Sequence, residues 1–588
     1  MAERTRNPFS HPVFDPSTQI RVLAVEPGEL GAPIRASFKV SNIHGLRIFE
    51  WEAISYAWDG QEPTLEIGIQ GMCVKVTRNV YRIIQDLRLE QEMRYLWIDA
   101  VCIAQQDLHE KSLQVALMQH IYEEALSVTI WLDLEGMDDI AKAVVSAAEW
   151  MDAISWASLS DVSVSLMAHF VSQNPQVHWR APTHRLMAAS WFSRIWVVQE
   201  AALAKTLFVH LGRNSILLWD DLATVCLRFL SLLPAQGMNQ RSLEVCYGAC
   251  EERIFGDETR QGLSTINLIT SLRDWLQNSN ASLNPSELVC LCNNLLASVD
   301  SDKVYAVAGL FNVKRLPEER VHLETDYTLS KSEVFRYFSL WCIEQENNLD
   351  VLAQQMTLFG DSQNTGWATD WSRTSVATFA TTNSLMARIR SGRAVYPRDT
   401  PLFRQIGSNT LVLRGFIIDQ IGLNFTQFEG EVENEPFLSR WLSAVPDDKT
   451  SNRLLLGDEI PTKFTLRELG NKTEEEHAYI SHLWRDGPRS SFPVRRHGRW
   501  DRWAYVTERG CLALTVGYYP LGDPSLKICY LRGGRGLFVL RPVLNAAPGG
   551  EPTYTIVTGD CFIRGCEDGK GADVAEGLGL QEQDIYIS

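Results

Sequence analysis

A glutamate and an arginine interrupt an otherwise apolar run, Trp191–Ala201, written WFSRIWVVQEA. Wound as one helix through Ala204, the run sets Trp191, Ile195, Val198 and Ala202 on one stripe, the spacing of a helix face. Trp196 and Leu203 widen the apolar surface on one flank, and Val197, Ala201 and Ala204 on the other. Glu200 falls opposite the stripe, one turn from Trp196. A helix apolar on nearly all sides is a buried one. A buried carboxylate costs several kcal/mol unless it is paired or hydrogen-bonded. Glu200 is therefore either a structural ion or a working group. Arg194 stands six residues before it, ~120° round the same helix, an awkward direction for pairing within one helix.

Two further stretches hold polar groups where an open α/β sheet binds ligands, beyond the carboxyl ends of its strands. The turn SYAWDG offers Ser55, Tyr56, Trp58 and Asp59, and DAVCIAQQDLHEK offers Asp99, Gln105, Gln106, Asp107 and Glu110. Capping or core packing is the plainer role for each. Convergence of both loops and the Glu200 segment on one crevice would make Glu200 a working group rather than a structural ion. The same convergence makes Tyr56, Trp58, Asp99, Gln105, Arg194 and Trp196 candidate ligand-binding residues.

The elements that must position these groups alternate. IRVLAV (Ile20–Val25), ASFKV (Ala36–Val40) and SVTIWL (Ser127–Leu132) read as strands, FEWEAISYAWDG (Phe49–Gly60) as a strand ending in a turn, YLWIDAVCI (Tyr95–Ile103) as a strand running into a loop, and Leu65–Val76 as a hairpin turning at Gly71. Between them Asn79–Arg88 reads as an amphipathic helix capped by Asn79. Asp107 with Glu110 has the form of a capping box opening another. Strand, helix, strand, helix predicts a parallel sheet with helices on its faces. Residues 1–215 are assigned to this α/β domain, 216–400 to a mainly helical middle region, and 401–588 to a small C-terminal β-barrel of glycine-punctuated strands. A polar insertion is expected at about 427–502.

Bulk properties exclude several functions. The 588 residues fit two to four domains, at ~150 residues each. A net charge of −17 argues against a general nucleic-acid binder or a protein held to anionic membranes. No apolar run approaches the ~18 residues of a membrane span, and the start MAERTRNPFSHPVFDP lacks the apolar core of a signal peptide. An intracellular, cytoplasmic protein is expected. Cys246 with Cys250 and Cys290 with Cys292 lack a second pair or nearby histidines, so no metal site is expected. No phosphate-cradling G-x-x-x-x-G-K-[ST] loop, H-E-x-x-H pair or G-x-S-x-G elbow occurs. RGGRG (Arg532–Gly536) reads as a tight turn, and the arginines from Arg485 to Arg502, among Trp484, Trp500 and Trp503, as a solvated loop.

AISYAWDG, LWIDAVCIAQQDLHEKSLQVALMQHIYEEALSVTIWL and AASWFSRIWVVQEAALA resemble, in order and spacing, the three blocks of the fungal heterokaryon incompatibility (HET) domain. SDKVYAVAGLF, DYTLSKSEVF and GWATDWS resemble segments that follow it, and VTERGCLAL, YLRGGRGLFVLRP and YTIVTGDCFIRGCEDGK resemble the associated C-terminal barrel. The resemblance implies a fungal source and a role in vegetative incompatibility, a self/non-self death response. The HET domain is distantly similar to TIR domains of flavodoxin-like fold, some of which cleave NAD at the nicotinamide–ribose bond. In that comparison YLWID resembles the second strand, AVCIAQQDLHEK the loop after it, and SRIWVVQEA the segment carrying the catalytic glutamate. Glu200 takes that glutamate's place, with Trp196 one turn before it. Val197 stands where TIR proteins often carry Cys, and Arg194 has no settled equivalent.

The implied chemistry is stabilisation of oxocarbenium-like charge on a ribose by a carboxylate in a dry cleft. NAD would be substrate, with no bound cofactor, and the partner would be another protein or a second copy. Two other readings stay open: a non-catalytic recognition protein of the same family, and a HET-fold enzyme recruited to specialised metabolism.

Overall fold

The apolar runs of the first half fold into strands β1 (Gln19–Val25), β2 (Arg35–Asn42), β3 (Glu52–Tyr56), β4 (Leu65–Ile69), β5 (Met72–Val76), β6 (Arg94–Trp97), β7 (Ser127–Trp131), β8 (Leu207–Gly212) and β9 (Ser215–Leu218). The structure, a computed structural model, describes residues 11–45, 49–134, 141–142, 144–145, 148, 185–212, 215–231, 257–278, 284–312, 323–353, 367–372, 402–407, 410–428, 495–496, 499–500, 502–507, 512–516, 525–534, 536–543, 550–562 and 571–588. The chain divides into two compact units interleaved in sequence, Met1–Asn280 with Leu295–Thr328 and Ala281–Asn294 with Leu329–Ser588.

In the first unit the strand order is β5-β4-β2-β1-β6-β3-β7-β8-β9. Parallel pairing is confined to β2 with β4 and to the run β6-β3-β7-β8. The sheet is therefore mixed, a correction to the parallel sheet expected from alternation. Its physical source is connection length. Gln70 and Gly71, both with positive φ, join β4 to β5, and a link so short permits only an antiparallel partner. Longer crossovers are left for the centre, where β3 and β7 align Glu52 with Ser127 and Tyr56 with Trp131. Every residue of β7 is buried, whereas β5 alternates. That contrast marks a strand covered on both faces beside one at an edge.

Helices flank this sheet: α1 (Arg78–Leu87), α2 (Asp99–Cys102), α3 (Leu108–Glu124) and α4 (Val197–Ala202). Thr77 caps α1 in place of the expected Asn79. Asn79 is buried further in, where its side-chain amide donates to Ala57 O at 2.8 Å and to Asp59 Oδ2 at 3.2 Å. Asp107 caps α3, accepting from His109 N and Glu110 N. The Glu110 carboxylate instead accepts from Ala104 N at 2.7 Å and pairs with the buried Arg21.

The run Trp191–Ala204 is not one helix, a second correction. A 3-10 turn over Ser190–Ser193 is followed by extended Arg194 (φ −84°, ψ 140°) before α4 begins. The break follows from a backbone partner distant in sequence. Ile195 N donates to Leu296 O at 2.9 Å, and Leu296 N donates to Ser193 O at 2.6 Å. The helix Asp257–Asn278 also belongs to this unit, reaching past the boundary expected near 215. Its Thr265 Oγ1 donates to Phe192 O at 2.7 Å, and Arg273 Nη1 donates to Ala201 O and Ala204 O at 2.9 and 2.8 Å.

In the second unit the helices Pro285–Cys292, Lys331–Glu346 and Asp350–Ala353 precede strands β10 (Phe403–Ile406), β11 (Thr410–Phe428), β12 (Arg495–Arg496), β13 (Arg499–Trp500), β14 (Arg502–Thr507), β15 (Leu512–Val516), β16 (Lys527–Leu531), β17 (Leu537–Val543), β18 (Thr553–Phe562) and β19 (Gln583–Ile587). Pairings run β11-β14-β15-β18-β17-β16 and return to β11. That closes the expected small barrel and leaves none of those strands as a free edge. Phe416, Ile528, Leu537, Val539 and Val557 fill its core. The expected insertion at about 427–502 lies mostly outside the described residues.

Candidate functional site

A cleft of about 580 Å³ opens in the first unit at the carboxyl ends of β3 and β6. The turn after β3 brings Trp58, Asp59 and Gly60, and the segment after β6 brings Asp99, Ile103 and Gln105. Helix α3 contributes Lys111, Val115 and Met118. The broken segment 190–196 contributes Ser190, Ser193, Arg194 and Trp196, and the far wall is Leu296–Val299, Asp302 and Tyr327.

Each carboxylate on the wall is already held by neutral donors. Trp58 Nε1 reaches both oxygens of Asp99, at 3.1 and 3.3 Å, and Ala100 N donates to Oδ1 at 2.7 Å. Trp196 Nε1 donates to Asp302 Oδ2 at 3.1 Å and Tyr327 Oη to Oδ1 at 2.7 Å. Ser190 Oγ donates to Asp59 Oδ1 at 2.6 Å, and Asp59 itself has a positive φ of 51°. Gln105 Nε2 bonds the backbone, donating to Asp99 O at 3.0 Å. Burial raises Asp99 above the usual carboxylate range and the Arg194 charge opposes it. Burial also raises Asp302, opposed first by its Tyr327 and Trp196 hydrogen bonds.

Glu200 stands behind this surface. It is 2% exposed and is not among the cleft residues. Its Oε2 accepts from Ser55 Oγ, which in turn accepts from Trp191 Nε1 at 2.7 Å. Burial pushes the Glu200 carboxyl up to about 7, with Arg194 and the Ser55 hydrogen bond pulling the other way. Arg194 makes no ion pair within 4 Å among the described residues; its Nη1 donates to Tyr56 O. Tyr56 Oη is buried without a hydrogen bond of good geometry. Burial and the Asp99 charge hold that phenol well above its usual range.

Five of the seven candidates from the sequence thus meet in one cleft: Trp58, Asp99, Gln105, Arg194 and Trp196. Tyr56 and Glu200 lie in the core beside it. Lys111, Ser190, Asp302 and Tyr327 escaped the reading of single residues. Asp302 and Tyr327 lie in SDKVYAVAGLF and DYTLSKSEVF, segments singled out by resemblance alone.

Residues 51–200 match the family model described as Heterokaryon incompatibility protein (HET). The chain is also similar to the Neurospora crassa (strain ATCC 24698 / 74-OR23-1A / CBS 708.71 / DSM 1257 / FGSC 987) protein "Heterokaryon incompatibility protein 6, OR allele", with 27% identity over 234 residues. That match covers 33% of this chain and 33% of the relative, so the chain spans about a third of the curated protein it matches. No solved structure matches the chain. Leu296–Val299, Asp302 and Tyr327, which wall the cleft, lie outside the matched residues 51–200.

Proposed function

We propose that this HET-domain chain is a fungal heterokaryon incompatibility protein whose first unit is a TIR-like cell-death effector that cleaves NAD. The observation that carries the reading is the cleft at the carboxyl ends of β3 and β6, where Trp58, Asp99, Gln105, Arg194 and Trp196 converge. Its volume falls within the ~300–1,000 Å³ of small-molecule sites. The order of parts supports the TIR-like comparison: strand β6, the polar segment after it, then Trp196 and Glu200.

In the proposed reaction the bond between nicotinamide and ribose C1 breaks and nicotinamide leaves with the bonding electrons. Water adds to C1 and releases a proton, giving ADP-ribose. Positive charge builds on the ribose as the bond lengthens. A fixed carboxylate in a water-poor site stabilises such charge more strongly than one in bulk water. Asp99 faces the cleft directly. Glu200 feels the charges of Arg194 and Asp99, and its contact with a ribose requires the Ser55 hydrogen bond to open.

One observation favours a second reading, a non-catalytic protein that signals by binding a partner protein or a second copy. Glu200 is satisfied by Ser55 and does not line the cleft. Induced expression in a fungal host separates the two. The enzymatic reading expects cellular NAD to fall before viability does, whereas death at unchanged NAD selects the binding reading.

A further inference from the structure

The cleft's charges are matched unevenly. Asp99, Asp302 and Asp59 each accept from neutral donors, Trp58 and Ala100, Trp196 and Tyr327, and Ser190 respectively. The two cations that line the same cleft act on these carboxylates only at longer range. Lys111 Nζ sits 4.4 Å from the centroid of the Tyr327 ring, and neither it nor Arg194 forms an ion pair within 4 Å among the described residues. Lys111 comes from α3 and Arg194 from the segment between the 3-10 turn and α4, so two independent elements each supply a cation to one concavity.

Cation–π contact with Tyr327 fixes the Lys111 ammonium, whose charge reaches Asp302 through space without a direct ion pair. The Arg194 guanidinium has one nitrogen committed to Tyr56 O and keeps other N–H donors of its planar fork for an oxyanion. At the rim, Trp58 is 38% exposed. Its N–H is anchored on Asp99, and an indole held in this way can stack a base. These features call for a ligand with an anionic centre and a flat ring.

We propose that Lys111 and Arg194 clamp the phosphates of a nucleoside diphosphate group, with Trp58 stacking its base. The proposal rests on the reading of this cleft as a nucleotide site and names the residues that hold the nucleotide there. Tyr327 positions Lys111 and, with Trp196, occupies Asp302. Because Tyr327 and Asp302 fall outside residues 51–200, the clamp is a property of the whole first unit.

Titration of the full-length protein with adenosine 5′-diphosphate, inorganic pyrophosphate and adenosine tests this, by calorimetry at two salt concentrations. Adenosine diphosphate should bind roughly tenfold or more tightly than adenosine, weaken as salt rises, and be displaced by pyrophosphate. Lys111→Met should weaken adenosine diphosphate roughly tenfold and leave adenosine unchanged, while Lys111→Arg retains most of the affinity. Equal binding of adenosine and its diphosphate, or no effect of Lys111→Met in a normally folded protein, overturns the proposal. Diphosphate binding through Lys111 without NAD cleavage would leave the clamp standing and remove the hydrolase. NAD cleavage indifferent to Lys111→Met, with no diphosphate binding, would do the reverse.

Discussion

Glu200→Gln separates charge from shape at the centre of the first unit. Gln keeps an oxygen that can accept from Ser55 Oγ, so the packing around Trp191 has no reason to change. What it removes is a carboxyl whose pKa burial has pushed from 4.5 to about 7. The sign follows from linkage. A carboxyl harder to ionise in the folded state contributes stability that is fully present below pH 4.5 and is lost as pH rises through about 7. A tenfold change in an acid's ionisation constant is worth ~1.36 kcal/mol, so ionisation costs the folded protein about 3 kcal/mol once it is complete. Between pH 5 and pH 8 the change amounts to about 2.5 kcal/mol. The neutral variant escapes it. Relative to the parent, Glu200→Gln should therefore gain about 2.5 kcal/mol between those pH values. Urea unfolding of both proteins at pH 5, 6, 7 and 8 measures the difference, in which all other titrating groups cancel. A flat difference would mean that Glu200 ionises as readily in the fold as in water. A loss of 3–5 kcal/mol growing with pH would mean that it neutralises a buried cation after all.

If ionised Glu200 supports NAD cleavage, nicotinamide release should rise with pH through about 7, and a flat or falling profile speaks against that role. Arg21→Met removes the buried partner of Glu110 along with a hydrogen bond to Cys102 O at 2.9 Å. It should lower stability by about 3–5 kcal/mol, read by thermal or urea unfolding. Gly262→Ala would place a methyl 2.2 Å from Met187 O, a backbone atom. A cost of about 1–3 kcal/mol is expected, and an unchanged midpoint contradicts the packing of helix Asp257–Asn278 against residue 187.

The strands were the legible part of the sequence. β1, β3, β6 and β7 are short apolar runs because they are buried, and the Leu65–Val76 hairpin announces itself through Gly71. Burial of Glu200 was legible too, since no polar face was available in its segment. The break at Arg194 was not. Ile195 and Ser193 pair with Leu296, and periodicity within one short segment carries no trace of a backbone partner so far along the chain. The antiparallel pairing of β1 with β2 and β6 was equally hidden, because alternation reports which elements occur and not which strands pair. The cleft divides along the same line. Loops next to strand ends gave Trp58, Asp99 and Gln105, while Asp302 and Tyr327 reach the site only through the chain's return to the first unit.

NAD cleavage is tested most directly by nicotinamide release from NAD with the purified full-length protein, followed by chromatography at low and high protein concentration so that a self-associated form is sampled. Time-dependent release of nicotinamide with equimolar ADP-ribose is expected from the parent. Asp99→Asn and Glu200→Gln should lose it while unfolding no more readily than the parent at pH 8. No release at any concentration, or undiminished release by a folded Glu200→Gln protein, would contradict cleavage at this site.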